Sequence, residues 1–104
     1  MDQFDNVTVV KKANVYFEGG VVSRTLQFVD GTTKTLGFMQ PGNYQFDTRK
    51  KELMEIQAGK VDVLLAGNTE WQHFIAGECF EVAANSKFLI TAVEPTDYCC
   101  SFVD

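Results

Sequence analysis

Six residues separate Glu52 from Gly59. That interval survives from a metal-holding pattern in which a glycine precedes His-x-His, then Glu, then Gly. Counting back from Glu52, the histidine positions fall on Gln45 and Asp47, or on Phe46 and Thr48. The second half of the pattern keeps Gly77, but its metal histidine position falls on Phe88. His73 is the only histidine in the chain. Three imidazoles are therefore missing, and any chemistry must proceed without the usual transition metal. The remaining carboxylate, Glu52, is expected to face inward, where it needs hydrogen-bond donors. In the plainer reading a partnering Arg24 supplies them.

Arg24 lies in the apolar strand pattern Val22 to Leu26, which would carry its guanidinium into the interior. The guanidinium fork suits a phosphate, and Ser23 and Thr25 beside it are compatible with one. The alternative is a surface arginine at a strand edge. Arg49, Lys50 and Lys51 form a short cationic run, either a solvated loop or a phosphate gate. His73 alternates with Trp71 and Ile75 on one strand face and reads as structural or exposed rather than as an acid–base group.

These residues must be positioned by strands. Val21 to Val29 is rich in β-branched and aromatic residues, and Asp30-Gly31 closes it as a hairpin, with Thr33 to Gln40 returning. Pro41-Gly42 turns the chain into Asn43 to Phe46. Leu53 to Gln57 and Val61 to Ala66 flank a hairpin at Ala58-Gly59-Lys60. Trp71 to Ile75, Cys79 to Val82, Phe88 to Val93 and Tyr98 to Val103 complete the series. Asp47 to Ile56 contains many helix formers but reads as a loop followed by a strand. Turn signals recur about every 8–12 residues, the rhythm of an all-β sandwich or barrel. On this pattern Met54 and Ile56 share the face of Glu52 and form an apolar wall, while Glu55 points the other way.

The chain has 104 residues and a formal net charge of −5. That is one domain with one modest core, and an acidic one that argues against a nucleic-acid backbone as partner. No apolar run is long enough for a membrane span, and Met1 to Asn6 does not read as a secretory signal. Cys79, Cys99 and Cys100 are too sparse and too close for a disulfide framework. They read as buried or half-buried free thiols in a cytoplasmic protein.

Several ordered runs carry a resemblance. They are Val15-Tyr16-Phe17-Glu18-Gly19-Gly20-Val21-Val22-Ser23-Arg24-Thr25 and Lys34-Thr35-Leu36-Gly37-Phe38-Met39-Gln40-Pro41-Gly42-Asn43-Tyr44-Gln45-Phe46. Further along come Glu52-Leu53-Met54-Glu55-Ile56 with Gly59, Glu70-Trp71-Gln72, Ala76-Gly77, and Glu94-Pro95 with Asp97-Tyr98-Cys99-Cys100. Together they closely resemble the small pyrimidine/purine nucleoside phosphorylase family over residues 14 to 103. Ala83-Ala84-Asn85 departs from the usual turn, which a proline often leads. The resemblance implies a single-domain, all-β, cupin-like (jelly-roll) barrel over residues 14–104, with residues 1–13 as an N-terminal segment. It implies phosphorolysis of purine and pyrimidine nucleosides to free base and ribose 1-phosphate. Inorganic phosphate would be the co-substrate, with no metal and no organic cofactor. A metal-free module that binds sugars or nucleosides without turnover is the alternative.

Phosphorolysis sets the roles. Phosphate needs cationic donors, so Arg24 and Arg49 are candidates. The ribose hydroxyls and an oxocarbenium-like transition state need a carboxylate, hence Glu52. The base needs flat apolar surface, for which Phe88 is the first candidate and Tyr98 the second. Tyr44, Phe46 and Met54 are further candidates for the pocket wall. A homodimer is expected, with a strand at Val7 to Val10 adding to a neighbouring subunit's sheet.

Overall fold

In the segment that begins at Lys87, side chains alternate between the two faces of a strand. Phe88, Ile90 and Ala92 are buried, Lys87 is exposed, and Leu89 and Thr91 are half-buried. The same period of two builds the rest of the fold. The computed structural model describes residues 2–103. Among them the strands are β1 (Thr8–Val9), β2 (Asn14–Tyr16), β3 (Val21–Gln27), β4 (Thr33–Met39), β5 (Gly42–Asp47), β6 (Lys51–Ala58), β7 (Lys60–Leu65), β8 (Gln72–Ile75), β9 (Cys79–Val82), β10 (Lys87–Ala92) and β11 (Thr96–Val103). A single 3-10 turn, Phe17–Gly19, joins β2 to β3.

The strands form two antiparallel sheets. The larger has the order β1-β3-β4-β11-β6-β9, with β2 also paired to β3, and the smaller has the order β5-β10-β7-β8. Their inner faces close on one core. Val21, Met39, Met54 and Ile56 come from the larger sheet, and Val61, Val63, Phe88 and Ile90 from the smaller. The result is the expected all-β, two-sheet barrel. No helix is long and apolar enough to cross a membrane.

Two glycines are required by close approach. A Cβ on Gly37 would lie 2.2 Å from Cζ of Tyr98, which passes over it from the neighbouring strand. Gly59, at φ 96°, would place a Cβ 2.5 Å from the carbonyl oxygen of Pro95. Its turn joins β6 to β7, so that each strand enters a different sheet.

Three expectations change. The N-terminal strand is Thr8–Val9, and it pairs within the chain, Thr8 with Gln27 and Val9 with Leu26. The free edge of β3 is the nearest template for it. Cys79 is exposed, not buried, because β9 is an edge strand and Cys79 lies on its outer face; Cys99 and Cys100 are buried. The short β2 and the 3-10 turn were not foreseen, since Asn14–Tyr16 is too brief to show alternation. The outer limits of the two expected segments, Met1 and Asp104, lie outside the described residues.

Candidate functional site

Glu52 is the second residue of β6 and points between the sheets. Behind it, β11 presents Tyr98, Cys100 and Phe102 on its inner face by the same two-residue period. These side chains, with Met54 from β6, Phe46 and Asp47 from β5, Phe88 from β10 and Tyr16 from β2, line one cavity of about 160 Å³. Met39 and Thr35 on β4 complete its wall. Five of the expected site residues therefore converge: Glu52, Phe46, Met54, Phe88 and Tyr98.

The electrostatics follow from burial. The Cys100 thiol donates to Oε1 of Glu52 at 3.5 Å. Desolvation raises the Glu52 carboxyl above its ordinary value, and the Cys100 hydrogen bond opposes that shift. Burial pushes the Tyr98 phenol far up, helped by Cys100 and opposed by a hydrogen bond with Ser23. The Cys100 thiol rises for the same first reason, with the Glu52 charge adding to it. Tyr98 and Cys100 are thus held protonated as donors, while burial disfavours the ionised form of the Glu52 carboxyl beside them. Aromatic rings lead outward from there. Phe88 stacks on Phe46 with ring centres 5.7 Å apart, and Phe46 meets Tyr16 edge-on at 5.8 Å.

Three expected site residues lie elsewhere. Arg24 is exposed and faces outward, and its Nη1 donates to the Lys11 carbonyl at 2.6 Å. Alternation along β3 gives the interior to Ser23, whose small side chain fits beneath Tyr98, so Arg24 takes the opposite face. Tyr44 is buried outside the cavity. Its hydroxyl donates to the Gln40 carbonyl at 2.7 Å and lies 3.3 Å from the Gly20 carbonyl. It sits so close to Gly20 and Gly42 that a Cβ on either would lie about 3 Å from that hydroxyl. It is therefore a structural anchor.

Arg49 is exposed on the turn between β5 and β6. It does not line the cavity, but Asp47 and Glu52 on either side of that turn do. The turn is fastened by the buried Thr48. Its Oγ1 donates to the Ala83 carbonyl at 2.6 Å and accepts from the Ser86 N–H at 3.1 Å. Lys51 pairs with Glu81 at 3.2 Å. Lys87 stands opposite Asp47 across the β5–β10 ladder. His73 is exposed on the outside of the smaller sheet and pairs with Asp62.

Sequence reasoning missed Asp47, Tyr16, Thr35, Met39, Cys100 and Phe102 as lining residues. The first was visible as one of the histidine-equivalent positions before Glu52. Cys100 and Phe102 follow from Tyr98 by alternation. Tyr16 had no local signal. Among the described residues, no three or more His, Cys, Asp or Glu side chains come together as a metal-holding set. A larger groove, about 660 Å³, lies on the outer face of the larger sheet beside Lys34, Glu55, Cys79 and Asp97. Carboxylates (Asp2, Glu55, Glu78, Asp97) and the aromatic residues Phe4 and Tyr98 line that groove too; the inner cavity is the candidate site because five of the expected residues converge there.

The profile of the pyrimidine/purine nucleoside phosphorylase family matches residues 11–102. The chain belongs to that family. It is 59 % identical over 104 residues to the pyrimidine/purine nucleoside phosphorylase of Hydrogenovibrio crunogenus, covering 100 % of both chains. It is 54 % identical over 103 residues to that of Geobacter sulfurreducens, covering 99 % of each. Among solved structures, a protein of unknown function from Acinetobacter superposes with a TM-score of 0.96 at 47 % identity, over 99 % of this chain and 100 % of that one. An RmlC-like cupin from Shewanella frigidimarina superposes at 0.71 with 16 % identity, over 98 % and 93 %. That likeness identifies the fold as cupin-like.

Proposed function

We propose that the protein cleaves purine and pyrimidine nucleosides with inorganic phosphate, giving free base and ribose 1-phosphate. The observation that carries this reading is the half-buried Glu52 carboxylate, held in an aromatic-walled cavity with the protonated Tyr98 and Cys100 beside it. The names borne by the relatives supply the reaction class.

In this reading a phosphate oxygen attacks C1′ of the ribose. The C1′–N bond breaks, its electron pair passes to the base nitrogen, and the base takes up a proton. Positive charge builds on the ribose ring as the bond lengthens. The Glu52 carboxylate accepts hydrogen bonds from the ribose hydroxyls and stabilises that charge in a site of low dielectric. Tyr98 donates a hydrogen bond and does not act as a base, because its phenol stays protonated. Phosphate is drawn to the mouth by Arg49, held on the turn that Thr48 fastens, and by Lys87 opposite Asp47. Arg24 has no part, since it lies on the far side of the sheet. No metal or organic cofactor enters this scheme.

The protein is further proposed to work in the cytoplasm as a homodimer. Leu36 and Phe38, 41 % and 38 % exposed on the outer face of the larger sheet, support association of two copies. A monomeric mass by light scattering at micromolar concentration would remove that part.

The deciding experiment incubates the protein with uridine and inosine, with and without phosphate, and follows base and ribose 1-phosphate by chromatography. Base released only with phosphate is the expected result. Release without phosphate makes the protein a hydrolase. Absence of release, with nucleoside still bound, makes it a binding module.

A further inference from the structure

The cavity at Glu52, about 160 Å³, is smaller than the roughly 300 Å³ or more in which small-molecule sites enclose a ligand. A nucleoside fits only if part of it lies at the mouth. The inner walls stand on central strands. Met39, Met54, Phe88, Tyr98 and Cys100 all sit on strands paired on both sides.

Tyr16 is different. It is the last residue of β2, a three-residue strand paired only with β3, and it is 43 % exposed. The chain leaves it through Phe17 and Glu18, at φ 51° and 55°, and Gly19 at 96°. Two consecutive side chains in the left-handed region are disfavoured, and a bulky Phe there persists only when its surroundings hold it. Here they do. The Gly20 N–H donates to the Phe17 carbonyl at 3.0 Å. The Phe17 ring packs 5.0 Å from Tyr44 and 5.4 Å from Phe46. Tyr44 is itself pinned against Gly20 through its hydroxyl. This strained strap fixes the Tyr16 ring as the outermost of a line that runs inward through Phe46 and Phe88.

We propose that Tyr16 is the base-stacking residue of the site. The sugar enters toward Glu52 while the flat heteroaromatic base lies against the Tyr16 ring at the mouth, and the strap of residues 16–20 sets where that ring stands. The inference rests on the nucleoside reading above and names the residue that recognises the base. A ring offers every base a π-face without reading its hydrogen-bonding edge, so one site admits purines and pyrimidines alike.

The test compares wild type, Tyr16→Ala and Tyr16→Phe in phosphorolysis of uridine and inosine, with calorimetric titration of inosine alone onto each protein. Tyr16→Ala is expected to raise KM for both nucleosides, and Kd for inosine, about tenfold. The loss falls on KM and Kd rather than kcat, and it is larger for inosine, whose base has more surface. Tyr16→Phe recovers most of the affinity. Thermal unfolding of Tyr16→Ala is expected to match wild type closely, because the ring is largely outside the core. An unaltered KM and Kd in Tyr16→Ala, a loss confined to kcat, or a Tyr16→Phe variant as weak as Tyr16→Ala overturns the assignment. If wild type binds inosine but releases no base, phosphorolysis fails while the titration still decides the stacking role. If wild type does neither, both fall.

Discussion

The larger sheet carries two opposite chemistries on its two faces, often from adjacent residues. Ser23 lies beneath Tyr98 on the inside, and Arg24 next to it is tied to Lys11 on the outside. Cys100 points to Glu52, while Cys99, on the outer face, lies near Glu55 and Lys34. Inside, burial strips water from Glu52, Tyr98 and Cys100 and raises all three titrations. Outside, Glu55 and Asp97 share an open groove with Lys34, although Cys99 beneath it is also buried and its thiol raised by that burial. The contrast shows that residue type alone does not mark a functional group here. Arg24 is the better phosphate ligand by chemistry, yet a one-residue step along the strand places it on the wrong side.

The largest effect is expected where the inner face is tightest. Gly37→Ala brings a Cβ to 2.2 Å from the Tyr98 ring. Because β4 is paired on both sides, the ring must move into the cavity. Such overpacking is expected to cost about 1–3 kcal/mol, seen in denaturant melts, and to abolish turnover. A Gly37→Ala variant that turns over normally would show that Tyr98 does not shape the site.

Glu52→Gln comes next. It keeps the shape and removes the charge, and turnover is expected to fall about a hundredfold. Its stability should move the other way. The folded carboxyl titrates above its unfolded value of 4.5 because burial disfavours the ionised form. The folded state therefore holds its proton more tightly, and this group's contribution to stability is full at acidic pH and lost as pH rises through the folded value. Glu52→Gln should melt above wild type at neutral pH, with the difference closing below the unfolded value. A variant less stable than wild type at neutral pH would mean that the carboxylate has donors beyond the Cys100 thiol.

Thiol labelling sharpens the comparison of faces. Of the three cysteines, Cys79 alone is exposed, so one thiol is expected to react rapidly with a disulfide reagent in the native protein and three after unfolding. Rapid reaction of a second thiol would show that β11 opens. The smallest effect is expected for Arg24→Ala. Turnover and phosphate dependence should stay at wild-type values, and stability should fall by no more than about 1 kcal/mol for the lost bond to Lys11. A strong rise in KM for phosphate would return Arg24 to the site.

The strand succession was legible because each turn announces itself chemically, as Asp30-Gly31, Pro41-Gly42 and Ala58-Gly59 do, and because a period of two is a local property. The same rule located Glu52 and Met54 on one face, and the half of the metal pattern that keeps Gly77 marked Phe88 for the pocket. Tyr44 misled because an aromatic on an inward face reads the same whether it meets a ligand or backbone carbonyls. Only the crossing of Gly20 and Gln40 over its hydroxyl decides between them.

From its own order of residues the chain determined the all-β architecture, the lack of the histidine set that would hold a transition metal, and the inward carboxylate. These depend on turn residues, alternation and composition, all of which act over a few positions. The tertiary structure alone decided which candidates meet. Tyr16 reaches the cavity because β2 folds back on β3. Phe46 and Phe88 reach it from the opposing sheet. Arg24 is excluded because the larger sheet turns that face away from the barrel. Such juxtapositions come from packing two sheets against each other, and no local pattern encodes which distant side chains that packing brings together.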